Sequence, residues 1–264
     1  MSPATLIQIA ADDHEKTFAV MVPPRVSLAM KKIGAKRLSV IIPALNEIGG
    51  IAAILAAIQP LRAAGHEVIV VDGGSHDETV SLAAPLADRI ILCERGRSRQ
   101  MNAGALQASG DILLFLHADT RLPDAAAHLV SSGLAHSGKS WGRFNVRLSG
   151  CQPLLRIVER MMNLRSRLTG IATGDQAIFV RREAFLAAGG FSDIPLMEDI
   201  ALSRSLKRTF GRPLCLSTPV TTSSRRWEEN GILRTILLMW WLRLAYFFGV
   251  APGRLIQHYT RREA

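Results

Sequence analysis

Between Leu38 and Leu116, short and nearly continuous apolar runs alternate with longer Ala-rich stretches that carry polar residues at helical spacing. Leu38–Ile42 (LSVII), Val68–Val71 (VIVV), Arg89–Leu92 (RIIL) and Ile112–Leu116 (ILLFL) predict strands covered on both faces, as in a parallel sheet. Ile48–Ile58, Thr79–Ala87 and Arg97–Ala108 predict the covering helices. This alternation defines βαβ units and an α/β fold with an open, mostly parallel, Rossmann-like sheet. Farther along, Asp124–Leu134 predicts a helix, and Trp141–Leu148 alternates as a strand does.

In open α/β sheets ligands bind beyond the carboxyl ends of the strands. Polar residues collect at three such ends: Asn46-Glu47, Asp72 to Asp77, and His117-Ala118-Asp119. The bland alternative is that loops are polar anyway, with helix capping explaining Ser75 and Asp77. No GxGxxG follows the first strand, so a dinucleotide turn is missing. A Walker A pattern, Gly133 to Ser140, runs from helix to strand rather than from strand to helix, which makes it a decoy.

Composition narrows the picture. The 264 residues are 48% apolar and 20% charged, which excludes a largely disordered chain and fits one α/β domain with an appendage. Cys93, Cys151 and Cys215 form no CxxC pair, which fits a reducing compartment and offers no structural zinc site. The net charge is +10, and from Ala201 onward there are 11 Lys or Arg against three Glu. That excess points to an anionic partner: nucleic acid, a phosphate-bearing substrate or an anionic membrane. The mean hydropathy of +0.18 favours the membrane. Residues 1–36 have no secretory pattern and are expected to be a poorly ordered extension outside the fold, with Met30 a candidate start. Residues 37–227 then form the main domain, and 228–264 an apolar and basic helical segment.

Pro43 to Glu47, Val70 to Thr79, His117 to Thr120, Gly174-Asp175-Gln176 with Gly189-Gly190-Phe191, and Glu198 to Arg204 occur in the order found in the family-2 glycosyltransferases of the GT-A fold, which this chain resembles from Leu38 to Trp227. The forms His117-Ala118-Asp119-Thr120, Gly174-Asp175-Gln176 and Arg225-Arg226-Trp227 look most like the bacterial branch associated with radical-SAM/selenodomain proteins or arsenosugar biosynthesis.

The resemblance implies transfer of a sugar from a nucleotide-diphosphate sugar to an acceptor hydroxyl, with inversion. Asp199 is then the general base, beside Glu198. Glu47 and Asp72 would contact the nucleoside, although Gly73 replaces the family's second loop aspartate. Arg97, Arg99, Asn102 and Arg226 would line the nucleotide and its diphosphate. Asp175 and Trp227 would face acceptor or sugar. Asp119 stands where the family binds a divalent metal, Mn²⁺ or Mg²⁺, and His117 replaces the first Asp of that motif. Capping remains an alternative for Glu47 and Glu198-Asp199, a turn for Asp175, a solvated basic helix for Arg97 and Arg99, and a backbone-satisfied role for His117.

Two other functions compete: a nucleotidyltransferase, which wants a basic Gly-rich loop after the first strand, and a nucleic-acid-binding module, which wants exposed stacking aromatics among its arginines. Neither feature is present, and no nucleic-acid partner is expected. Ile232 to Val250 carries five of the fifteen aromatics within Trp240 to Phe248. Arg234 and Arg243 disfavour a membrane span. Such a helix packs on the domain, on a partner or in lipid. A cytoplasmic enzyme is expected, with peripheral contact at the inner membrane face and an acceptor that is lipid-linked or apolar.

Overall fold

The computed structural model describes residues 5–9, 18–22 and 36–260. Its strands are β1 (Thr5–Ile9), β2 (Phe18–Val22), β3 (Leu38–Ala44), β4 (Glu67–Asp72) and β5 (Arg89–Leu92), then β6 (Ile112–Phe115), β7 (Thr120–Arg121), β8 (Trp141–Leu148), β9 (Phe179–Arg181) and β10 (Leu214–Thr222). They form one sheet in the order β1-β2-β5-β4-β3-β6-β9-β8-β10-β7. β5, β4, β3 and β6 are mutually parallel, and β9 runs antiparallel to both β6 and β8. Two pieces of the expected N-terminal extension, β1 and β2, pair antiparallel on the β5 edge. The rest of that stretch lies outside the described residues.

All seven residues of β3 and all six of β4 are buried, which is why these strands read as unbroken apolar runs. Alternate residues serve opposite faces. Leu38, Val40 and Ile42 meet Ile54 and Leu55 of α1 (Ile51–Ala57), which is followed by the short helices α2 (Gln59–Ala63) and α3 (Thr79–Ala83). Ile41 faces the other way, towards Met101 of α4 (Arg97–Gln107). Each fully buried Leu, Ile or Val side chain contributes roughly 1.5–3 kcal/mol of apolar burial.

The Walker-like segment behaves as its context predicts. Helix α5 (Ala126–Ser137) ends at Gly138, whose φ of 65° closes the helix in the left-handed conformation, and β8 follows. Lys139 Nζ donates to the Arg212 carbonyl at 2.9 Å, so this lysine closes a loop.

The remaining helices are α6 (Pro153–Thr169), α7 (Arg182–Ala187), α8 (Glu198–Phe210), α9 (Arg225–Glu229), α10 (Ile232–Phe247) and α11 (Pro252–Thr260). α8 opens with Glu198-Asp199 and closes with Lys207-Arg208, matching both ends of the helix dipole. α10 packs one side on the domain through Ile232, Thr235 and Leu242. Leu233, Leu237, Trp240, Leu244 and Phe247 stay exposed along the other side. α6 has a parallel feature: Ile157, Met161, Leu164 and Leu168 are all exposed at helical spacing. No helix among the described residues is long and apolar enough to cross a membrane.

Candidate active site

Because β4 lies on one side of β3 and β6 on the other, strand order reverses at β3 and opens a crevice beyond the ends of β3 and β6. Two loops on one side of it are zipped together by side chain–backbone hydrogen bonds. Ser75 Oγ accepts the Asn46 amide at 2.8 Å, Asn46 Oδ1 accepts the His76 amide at 3.0 Å, and Thr79 Oγ1 accepts the Glu47 amide at 2.8 Å. Asp72, the last residue of β4, accepts the Gly74 and Ser75 amides through Oδ2, each at 2.9 Å, and the Ser75 hydroxyl through Oδ1. It shapes the loop, with both oxygens occupied. Gln100 Nε2 donates to the carbonyls of Ala44 and Val71, both at 2.8 Å, clamping the ends of β3 and β4. A Cβ on residue 73 would stand 3.1 Å from the Gln100 amide carbon, so a side chain there would press on this clamp.

The carboxylates beyond these loops form two groups. On the first side, Asp119 Oδ1 accepts hydroxyl hydrogens from Thr120 (3.1 Å) and Thr222 (3.4 Å), whereas Oδ2 has no protein partner among the described residues. Burial pushes the Glu47 carboxyl above its ordinary range, and the Asp119 charge adds to this; Arg225, Arg97 and His117 oppose it. On the second side, Asp199 Oδ2 accepts the Gly174 amide at 2.9 Å and Oδ1 the Ile200 amide at 2.7 Å. His117 Nδ1 lies 3.5 Å from Asp175 Oδ1. Desolvation pushes Asp175 up even though its side chain keeps 44% exposure, but the His117 contact, with the charges of Arg97 and Arg243, outweighs it and holds the carboxyl below its usual value. Glu198, 6% exposed, is raised by burial and then by Asp199, against Arg97 at 3.8 Å.

The charges of Arg97 and His117 therefore reach Glu47 in the first group and Asp175 and Glu198 in the second. His117 is seated tightly: a Cβ on Gly174 would come within 2.3 Å of His117 Nε2. Only glycine allows the turn at 174–176 to lie against the ring. The three non-glycine residues with positive φ among the described residues, Asn46 (54°), Ala177 (45°) and Met197 (68°), all flank this crevice. Backbone held in this region costs of order 1–3 kcal/mol each and concentrates where geometry serves function.

Several expected contacts are committed elsewhere. Arg99 Nε donates to both oxygens of Asp193 and Nη1 to Glu94. Asn102 bonds both the amide and the carbonyl of Phe191, latching α4 to the loop after α7. Arg226 stacks over Tyr259 of α11, 3.8 Å from the ring centroid, and bonds its hydroxyl. Trp227 packs with Val146, Leu155 and Ile232. Of the adjacent pair, Arg225 is the one whose charge reaches Glu47. Sequence reading passed it over because adjacent arginines opening a short helix carry no signal of which one faces the crevice. No group of three or more His, Cys, Asp or Glu side chains that could hold a metal is assembled among the described residues, so His117 and Asp119 are not joined in such a set.

This architecture is the GT-A glycosyltransferase fold, and residues 39–132 match the family model described as Glycosyl transferase family 2. With glycosyltransferases as its curated relatives, the match supports a family-2 glycosyltransferase. A PGL/p-HBAD biosynthesis glycosyltransferase of Mycobacterium bovis is 39% identical over 100 residues, 35% of this chain. The chain spans 39% of that relative's length. Among solved structures, S. aureus TarS 1-349 in complex with UDP superposes with a TM-score of 0.58 at 18% identity, covering 71% of this chain and 60% of that one. The mannosyltransferase PcManGT from Pyrobaculum calidifontis, in complex with GDP-Man and Mn²⁺, gives 0.58 at 23% identity, covering 91% and 72%. These structural likenesses establish the fold.

Proposed function

We propose that the protein transfers a sugar from a nucleotide-diphosphate sugar to an acceptor hydroxyl with inversion, using Asp199 as general base. The observation that carries this reading is Asp199 held by the Gly174 and Ile200 amides, with Arg97 on Glu198 and His117 on Asp175 beside it, at the point where strand order reverses. The nucleoside lies against the loops organised by Asn46, Asp72 and Gln100, with Glu47 beside it. Arg97 and Arg225 meet the diphosphate, supplying charge-assisted hydrogen bonds as negative charge grows on the leaving group.

A divalent ion, Mn²⁺ or Mg²⁺, fits here as a partner of the donor rather than as a resident of an all-protein cage. Asp119 offers Oδ2 without a protein donor, and such ions are commonly held by one or two carboxylates plus substrate phosphates. When bound, it neutralises charge on the departing diphosphate. Neighbours of the fold carry UDP in one case and GDP-Man with Mn²⁺ in another, which supports this donor class.

On the acceptor side, two backbone amides hold Asp199 in one orientation, so its remaining lone pairs receive the hydroxyl proton as that oxygen attacks the anomeric carbon. Asp175 and His117 support the turn that presents the Gly174 amide. Glu198 holds Arg97. The exposed apolar side of α10 makes peripheral contact with a membrane, where aromatic side chains settle at headgroup depth.

A thermal-shift screen of nucleoside diphosphates with and without Mn²⁺ tests the donor side. The expected result is a rise in Tm for one base that grows with Mn²⁺, and that loses this growth in Asp119→Ala. No response to any nucleoside diphosphate contradicts the reading.

A further inference from the structure

A cavity of about 720 Å³ opens between α6, α8 and α10, and its walls divide by chemistry. Arg165, Arg204, Lys207, Arg208 and Arg243 contribute five cations, whereas Leu168, Ile171, Ile200, Tyr246 and Phe247 contribute apolar surface. No Asp or Glu lines it. None of the five cations forms an ion pair among the described residues. Five like charges around one opening repel one another, and a bound anion removes that cost.

Arg165 is the sharpest feature. Its Nε and Nη2 are buried without a hydrogen-bond partner, which is expensive for a guanidinium. Burial lowers its pKa to about 10, Arg243 and Arg143 add to the shift, and Asp199 and Asp175 oppose it. Ile200, which lines the cavity, is also the residue whose amide holds the proposed base Asp199, so the wall at α8 adjoins it. The outer end meets the exposed apolar stripes of α6 and α10: Leu168 and Phe247 belong both to a stripe and to the cavity wall.

We propose that this cavity binds the acceptor, and that the acceptor is a phosphate-bearing amphiphile drawn from a membrane, its phosphate held by Arg165 and Arg243 and its tail lying between α6 and α10. The inference deepens the glycosyl-transfer reading and rests on it. The phosphate is the handle, and a separate hydroxyl of the same molecule is the nucleophile. Its oxygen bonds to the anomeric carbon, the bond from that carbon to the diphosphate breaks, nucleoside diphosphate leaves, and the hydroxyl proton passes to Asp199. A docked bilayer accounts for two unpartnered apolar stripes side by side, and the cations draw the anionic headgroup inward.

The test is calorimetric titration of the full chain with three probes: decyl phosphate below its micelle concentration, decanol, and inorganic phosphate. Decyl phosphate is expected to bind at least tenfold tighter than either other probe. Arg243→Gln is expected to lose tenfold or more, and Arg243→Lys to lose less. Because Arg165 is buried, Arg165→Gln is scored only if its thermal unfolding matches the parent, and Arg243→Gln carries the test alone otherwise. Equal binding of inorganic phosphate reduces the cavity to an anion site, equal binding of decanol reduces it to an apolar groove, and no binding removes it. Each of these overturns the proposal. Parallel titration with UDP and GDP separates the two readings: diphosphate binding without decyl phosphate binding refutes only the acceptor class, and the converse refutes the donor assignment.

Discussion

Gly174 lies so close to His117 that a single methyl group on it would come 2.3 Å from the ring's Nε2. The same glycine donates its amide to Asp199 at 2.9 Å. The end of β6, the turn at 174–176 and the start of α8 thus meet at one residue with no side chain. Gly174→Ala is expected to lower both Tm and transfer, because ring or turn must shift and the Asp199 contact shifts with it. Removing the obstacle in a His117→Ala background should make the alanine cost clearly less. A double-mutant cycle on Tm checks this, and simple additivity contradicts the packing argument.

Arg225 and Arg226 separate two roles within a pair of adjacent residues. Arg225→Gln is expected to weaken nucleoside diphosphate binding by about 1.5–3 kcal/mol, the size of a hydrogen bond to a charged group. Arg226→Gln should instead loosen α11 through its lost Tyr259 contact and leave diphosphate affinity nearly unchanged. Calorimetry on both variants decides which arginine faces the phosphates.

Much of this was readable from the chain, and the failures have physical causes. β3 to β6 were legible because strands buried on both faces must be apolar throughout. β8 was legible because it alternates. β9 escaped notice because three residues show no period, and β10 because Pro219 sits at a register shift and much of the strand is only half-buried. Strand-end carboxylates were visible as motif residues. The destinations of Arg99 and Asn102 were not, since Asp193 and Phe191 lie about ninety positions away and only tertiary packing brings them into reach. Arg165 belongs to no motif, and Arg243 was visible only as a charge interrupting the apolar run of α10, with nothing to say that the two meet at one cavity.

At the opposite end of the sheet, Glu67 gives a pH-dependent prediction. It is 2% exposed, accepts the Ser39 hydroxyl at 2.6 Å and the Ser109 amide at 2.8 Å, and has Arg89 at 3.6 Å. Burial alone would raise its pKa, yet these hydrogen bonds and the Arg89 charge hold it below the ordinary 4.5. A depressed carboxyl stabilises the fold above its unfolded value and loses that contribution as pH falls through the folded one. Glu67→Gln is expected to cost about 1–3 kcal/mol at neutral pH. The difference from the parent should narrow below pH 4.5 in denaturant titrations.

Glu198 carries the opposite sign. Its folded pKa is raised, so ionisation opposes folding as pH climbs from the unfolded value towards the folded one. Glu198→Gln should therefore raise Tm near neutrality, with the gain vanishing below pH 4.5, while transfer falls because Arg97 loses its partner. A Tm–pH series distinguishes this from a merely structural ion pair, whose loss would lower Tm at neutral pH.

The central claim is that Asp199 takes the proton of an attacking hydroxyl while a nucleotide sugar gives up its diphosphate. The most direct measurement follows release of nucleoside diphosphate and movement of labelled sugar into a membrane-lipid extract, for the parent and Asp199→Asn, alongside donor affinity by calorimetry. The parent is expected to label the extract in step with diphosphate release, and Asp199→Asn to bind donor within a few-fold of the parent yet transfer roughly 10²–10⁴ times more slowly. Equal transfer by both proteins, or donor binding lost together with transfer, would contradict the account.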